Sequence, residues 1–129
     1  MRHVELLIHT VGRWNPGDVA FIRSLHYQAG QGGGTAELHL ECIVERRDTA
    51  VRDWPSETNP RFKAHLRFTG VSDLSIKEFG RGDTQITGFD ILDLSDRGLE
   101  KINYEVEDYE NGRIHFFCSE IEVVDVTAI

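Results

Sequence analysis

Two stretches of this chain alternate apolar and polar residues in the pattern of a half-buried strand. Over residues 36–45, Ala36, Leu38, Leu40, Cys42 and Val44 point one way while Glu37, His39, Glu41 and Glu45 point the other. Over residues 61–69, Phe62, Ala64, Leu66 and Phe68 form an apolar side, with Lys63, His65 and Arg67 opposite. Antiparallel pairing of the two sets acids against bases, at about 0.2–1 kcal/mol per cross-strand pair. Further short strands are predicted at 19–27, 71–79, 85–94, 102–109, 113–119 and 121–126, separated by turn signals such as "RGD" at 81–83 and "DRG" at 96–98. Near the N-terminus, Val4, Leu7, Ile8 and Val11 follow helical spacing and stop at Gly12, which favours a short amphipathic helix. Val4, Leu6 and Ile8 also alternate, so residues 3–11 stay open between helix and strand.

The punctuation between these elements is informative. "WNPGD" at 14–18 reads as a turn, with Asn15 pushed toward an extended conformation by the proline after it. "AGQGGGT" at 29–35 holds too many glycines for a regular element and reads as a flexible hairpin loop. Residues 46–60 form a long polar excursion bounded by prolines, functional or mobile, in which Trp54 stands out. The pattern as a whole predicts a mainly β fold, a single-domain antiparallel β-sandwich or strongly curved sheet over residues 1–129, with one short N-terminal helix.

The stretch "EVEDYENGRIHFF" at 105–117 concentrates acids ahead of a tight turn, and its register can be read from the apolar pattern. A two-residue loop at Asn111 and Gly112 would pair Val106 with Phe117 and Glu107 with Phe116, mixing the faces. A three-residue loop, Glu110-Asn111-Gly112 with Gly112 in the left-handed bulge position, pairs Val106 with Phe116 and Tyr104 with Cys118 on one apolar face. Glu107 then faces His115 and Tyr109 faces Arg113. A one-residue slip exchanges the faces wholesale, so the second register is the expected one, and most of the acidic cluster becomes a solvated face.

Composition narrows the classes of function. A chain of 129 residues, 40% apolar and 28% charged, sustains one core without staples. No run approaches a membrane span and no signal peptide is apparent, so a soluble, cytoplasmic protein is expected. Cys42 and Cys118 fall in register with apolar residues and read as buried thiols. A net charge of −8 argues against general nucleic-acid binding. Residues 1–70 hold nine Lys/Arg against eight Asp/Glu, and residues 71–129 hold five against fourteen, so the acid excess belongs to the second half.

Candidate chemistry is sparse. Glu105 and Glu107 stand on one strand face about 7 Å apart, a spacing compatible with paired-carboxylate hydrolysis of sugars but produced by any alternating strand with two acids. A Glu107–His115 pair on the sheet surface would be the core of a small hydrolase. His39, Glu41 and His65 could converge on a metal from adjacent strands. Neither an HExxH motif nor Cys/His ligand spacing accompanies them, which favours polar surface histidines; no metal and no cofactor are expected. There is no G-x-S-x-G elbow, and "GQGGG" is not followed by the Lys-Ser/Thr of a phosphate loop.

The segments "FTGV" (68–71), "LSIKEF" (74–79), "GFDI" (88–91) and "YEVEDYENGRIHFFCSEIEV" (104–123) resemble the bacterial immunity-protein family usually numbered fifty, whose members accompany polymorphic toxins. The resemblance runs from about Trp14 to the C-terminus. Where the family tends to carry a His-Asp pair before its first long strand, this chain has Gly17-Asp18. The resemblance implies a non-catalytic protein that binds and neutralises a toxin. Such a protein would present an acidic interface to a basic toxin domain, formed by Glu105, Glu107, Asp108 and Glu110 with Trp54 or Trp14 as an aromatic anchor. It would act as a monomer or homodimer, without nucleic-acid or membrane partners.

Overall fold

A computed structural model describes residues 1–30, 35–47, 53–80, 82–109 and 112–129. The alternating segments become the strands of two antiparallel sheets. One sheet contains β1 (Val19–Gln28), β2 (Glu37–Glu45), β3 (Arg61–Thr69), the two-residue β5 (Thr84–Gln85) and β9 (Glu120–Ala128), in the order β5-β1-β2-β3-β9. The other contains β4 (Ser72–Ile76), β6 (Phe89–Asp93), β7 (Tyr104–Asp108) and β8 (Ile114–Cys118), in the order β4-β8-β7-β6. Their apolar faces meet: the rings of Phe68 on β3 and Phe116 on β8 pack edge to face with centroids 4.8 Å apart. Leu38, Leu40, Leu66, Val106, Ile114 and Ile121 fill the space around them and are fully or almost fully buried. Cys42 and Cys118 belong to this core; burial pushes the Cys118 thiol up to about 12, and the Cys42 thiol is raised too.

The N-terminal ambiguity resolves as a helix, α1 (Glu5–Val11), which buries Leu7 and Val11 and ends at Gly12 with φ 101°. The "WNPGD" segment forms a turn of 3-10 helix at Pro16–Asp18, with Asn15 extended and its side chain accepting from the Gly17 amide at 2.9 Å. Acids and bases do face each other across β2 and β3, Glu41 opposite His65 and Glu45 opposite Arg61.

The hairpin register expected from the apolar pattern is the observed one: Tyr104 opposite Cys118, Val106 opposite Phe116 and Glu107 opposite His115. Gly112 has φ 61°, the left-handed conformation required of it. Glu110 and Asn111 of that loop lie outside the described residues, as do residues 31–34 of the glycine-rich loop, residues 48–52 of the excursion and Arg81 of "RGD".

Two expectations change. The single strand expected over 85–94 is divided between the sheets. Thr84 and Gln85 pair with Ile22 and Phe21 of β1, whereas Phe89–Asp93 pairs with β7. The crossing is made at Gly88, whose φ is 97° and where a Cβ would stand 2.7 Å from the Gly17 Cα, a position that only glycine tolerates. Glu45 is the second change. Its parity assigns it to the solvent side of β2, yet it is fully buried, because Trp54, Ser56 and Asn59 fold back over this end of the sheet. Its carboxylate accepts from the Ser56 amide at 2.9 Å and from Arg61 Nε at 2.9 Å, and the Trp54 indole N–H donates to the Glu45 carbonyl at 2.8 Å.

Because removing the buried carboxylate takes the acceptor from the Ser56 amide and from the partly exposed Arg61, Glu45→Ala is expected to lower unfolding free energy by about 1–3 kcal/mol. Urea denaturation of the two proteins checks this, and a loss below about 1 kcal/mol would mean the excursion is not anchored through Glu45.

Candidate functional site

The outer face of the four-stranded sheet carries the acidic cluster. Strand pairing places Asp90 opposite Glu107, Glu107 opposite His115 and His115 opposite Ser75 in one row. The adjacent row runs Leu92, Glu105, Phe117, Ser72. Glu105 reaches diagonally to His115, Oε2 to Nε2 at 2.7 Å; a carboxylate only accepts, so Nε2 carries the proton. The His115 ring packs edge to face on Phe117 with centroids 5.2 Å apart. Among the described residues, Asp90 and Glu107 are exposed and make neither a hydrogen bond nor an ion pair. Two acids directly opposite each other destabilise a strand pair, so this part of the face is held against its own repulsion. Leu92, 45% exposed, and Tyr109, 69% exposed, add apolar surface on the strands that carry the acids or just beyond them. Arg113, at the start of the strand beyond the turn, is 3.9 Å from Glu78.

The remaining residues expected at an interface are placed differently. Asp108 is buried at the end of β7. Its Oδ1 accepts from the Arg113 and Ile114 amides at 2.8 and 3.0 Å and so closes the hairpin from inside. Trp54 is attached to the end of β2, with the Arg47 guanidinium 3.7 Å above its ring. Trp14 is half-buried against the core. Glu110 lies outside the described residues. Asp90 joins the face without having been singled out in the sequence. The alternation of Phe89 and Ile91 against Asp90 and Leu92 carried the signal, but only the pairing of β6 with β7 makes it part of the cluster.

A second arrangement occupies the outer face of the five-stranded sheet. A groove of about 520 Å³ is lined by Ser24, His26, His39, Glu41, His65 and Asp125, among others. His39 Nδ1 lies 2.8 Å from His65 Nε2, and His39 Nε2 lies 3.3 Å from Glu37 Oε2. Glu37 is also hydrogen-bonded by Arg67, which with His39 holds its carboxyl below the usual range. Burial, reinforced by the neighbouring His39, lowers the pKa of His65. Glu41 is engaged by Lys63 at 3.2 Å. A smaller notch of about 350 Å³ lies between the 3-10 turn and β6, bordered by Gly17, Thr87, Asp90 and Tyr109. Neither groove is lined by Glu107 or His115. Among the described residues no three His, Cys, Asp or Glu side chains already stand together as a metal site, and no helix is long and apolar enough to cross a membrane.

Comparison with known proteins finds no matching family model, no matching curated protein and no matching solved structure.

The role assigned to Asp108 has a local signature. Asp108→Ala leaves the amides of Arg113 and Ile114 without their buried acceptor, at about 1–3 kcal/mol. Hydrogen exchange at those two amides is expected to accelerate by an order of magnitude or more, and by more than exchange in β2 and β3, which reports only the loss of global stability. Unaltered protection at Arg113 and Ile114 would contradict the role.

Proposed function

We propose that this chain is a non-catalytic binding protein of the bacterial immunity type, which docks a basic toxin domain on the outer face of its four-stranded sheet, in the cytoplasm. The observation that carries the binding face is the opposed pair Asp90 and Glu107, exposed and uncompensated on adjacent strands. A fold that keeps two acids across from each other accepts a cost that a cationic partner removes, and the same charges steer such a partner and fix its orientation. Glu105 extends the acidic row. Leu92, Tyr109 and Phe117 offer apolar contact of the kind that concentrates interface energy in a few side chains. In this reading the anchors are Tyr109 and Phe117, because the contacts of Trp14 and Trp54 are internal. Asp108 contributes by shaping the hairpin. The toxin as partner comes from the family resemblance, whose longest segment is the β7–β8 hairpin and the start of β9.

Affinity capture from the native host, with mass spectrometry, is expected to retain a basic protein on the wild-type chain. A Glu105→Lys/Glu107→Lys double variant should fold normally and release it. For the purified pair, the reversal is expected to weaken binding at least tenfold and to flatten its dependence on salt. Glu107→Gln alone should weaken the pair while slightly raising the melting temperature, since it relieves the repulsion with Asp90. A captured partner whose affinity and salt dependence are the same for wild type and reversal would overturn the proposed interface.

A further inference from the structure

We propose that His39 and His65 form a binding site for a divalent transition-metal ion of the zinc type, with Asp125 as third ligand and solvent in the remaining position. The site lies on the five-stranded sheet, on the other side of the sandwich from the acidic face, and does not depend on the partner proposed above. Strand pairing brings the residues together: His65 on β3 is opposite Glu41 on β2 and Asp125 on β9, and His39 is its diagonal neighbour on β2. The two imidazoles already aim ring nitrogens at each other, His39 Nδ1 and His65 Nε2 being 2.8 Å apart with one proton between them.

A zinc-type ion takes the place of that proton, which passes through solvent to His65 Nδ1, so that both imidazoles bind the ion in their neutral form. With metal–nitrogen bonds of about 2.0–2.1 Å in a tetrahedral arrangement, two ligand nitrogens stand about 3.3 Å apart. The rings therefore separate by about half an ångström, a small rotation for half-exposed side chains above an open groove.

The surroundings match those of a histidine ligand. Glu37 Oε2 accepts from His39 Nε2 at 3.3 Å, which puts the proton on Nε2 and leaves the Nδ1 lone pair free to bind a metal. Arg67 holds Glu37 in turn through its guanidinium. A carboxylate on the outer nitrogen of a ligating imidazole is a recurring feature of metal sites, and it accounts here for an otherwise unremarkable Arg67–Glu37–His39 chain. Of the two carboxylates opposite His65, Glu41 is committed to Lys63 at 3.2 Å and Ser24 at 3.3 Å. Asp125 is exposed and makes no hydrogen bond or ion pair among the described residues, so it can turn toward the ion. His26 stands opposite His39 with ring centroids 6.4 Å apart, edge to face, and is a neighbour, not a ligand.

The test uses the full chain without a histidine tag, stripped with chelator and titrated with Zn²⁺. Calorimetry is expected to give one saturable site per chain with a micromolar dissociation constant, and nitrogen-15 spectra of the imidazoles should show shifts at His39 and His65. His39→Gln and His65→Gln should each weaken binding at least roughly tenfold, and Asp125→Asn and Glu37→Gln by a smaller factor, while His26→Gln leaves it unchanged. The imidazole spectra locate the ion in the wild-type protein even if a variant fails to fold. Absence of saturable binding would overturn the site, as would ring shifts confined to His3, His9 or His115, or affinity that survives His39→Gln and His65→Gln.

Discussion

The register of the β7–β8 hairpin is the constraint on which the rest depends. Side chains alternate along a strand, so one residue of slip would pair Val106 with Phe117 and Glu107 with Phe116 and, with Val106 kept inside, would turn Phe116 out and His115 in. The observed pairing sends Val106, Phe116 and Cys118 into the core, where Phe116 meets Phe68 of the facing sheet. Asp108 fixes that register from the buried side by accepting from the two amides that open β8. The acids on the opposite face are where they are because the apolar residues between them are committed to the interior.

The charge asymmetry of the chain becomes spatial in the fold. Every strand of the four-stranded sheet comes from residues 72–118, within the acid-rich second half. The five-stranded sheet draws its three long central strands from the balanced first half, and most acids of its outer face are paired: Glu37 with Arg67 and Glu41 with Lys63. Surface pairs of this kind contribute little to stability, but they neutralise a face. The four-stranded sheet has His115, Arg113 and Lys77 against Asp90, Glu105, Glu107 and Glu78, and so keeps an excess of negative charge that long-range steering can use.

Much of this was legible in the sequence where the information is local. The strands of residues 36–45 and 61–69, the α1 stop at Gly12 and the hairpin register all follow from periodicity and turn chemistry that neighbouring residues specify among themselves. What was not legible depends on contacts distant in sequence. Gly88 marks a crossing between sheets only because Gly17 lies against it. Glu45 is buried only because residues 54–61 return to cover it, with the Trp54 indole bonded to the Glu45 carbonyl. Asp90 joins the acidic face through the β6–β7 pairing, and the His39–His65 contact through a diagonal between two strands that sequence spacing does not reveal.

Cross-strand nuclear Overhauser effects in the isotopically labelled protein test the register most directly. The account predicts backbone contacts linking Val106 with Phe116 and Glu107 with His115, together with slow exchange at the Arg113 and Ile114 amides. Contacts linking Val106 with Phe117 and Glu107 with Phe116 would contradict it and would remove the acidic face along with the register that creates it.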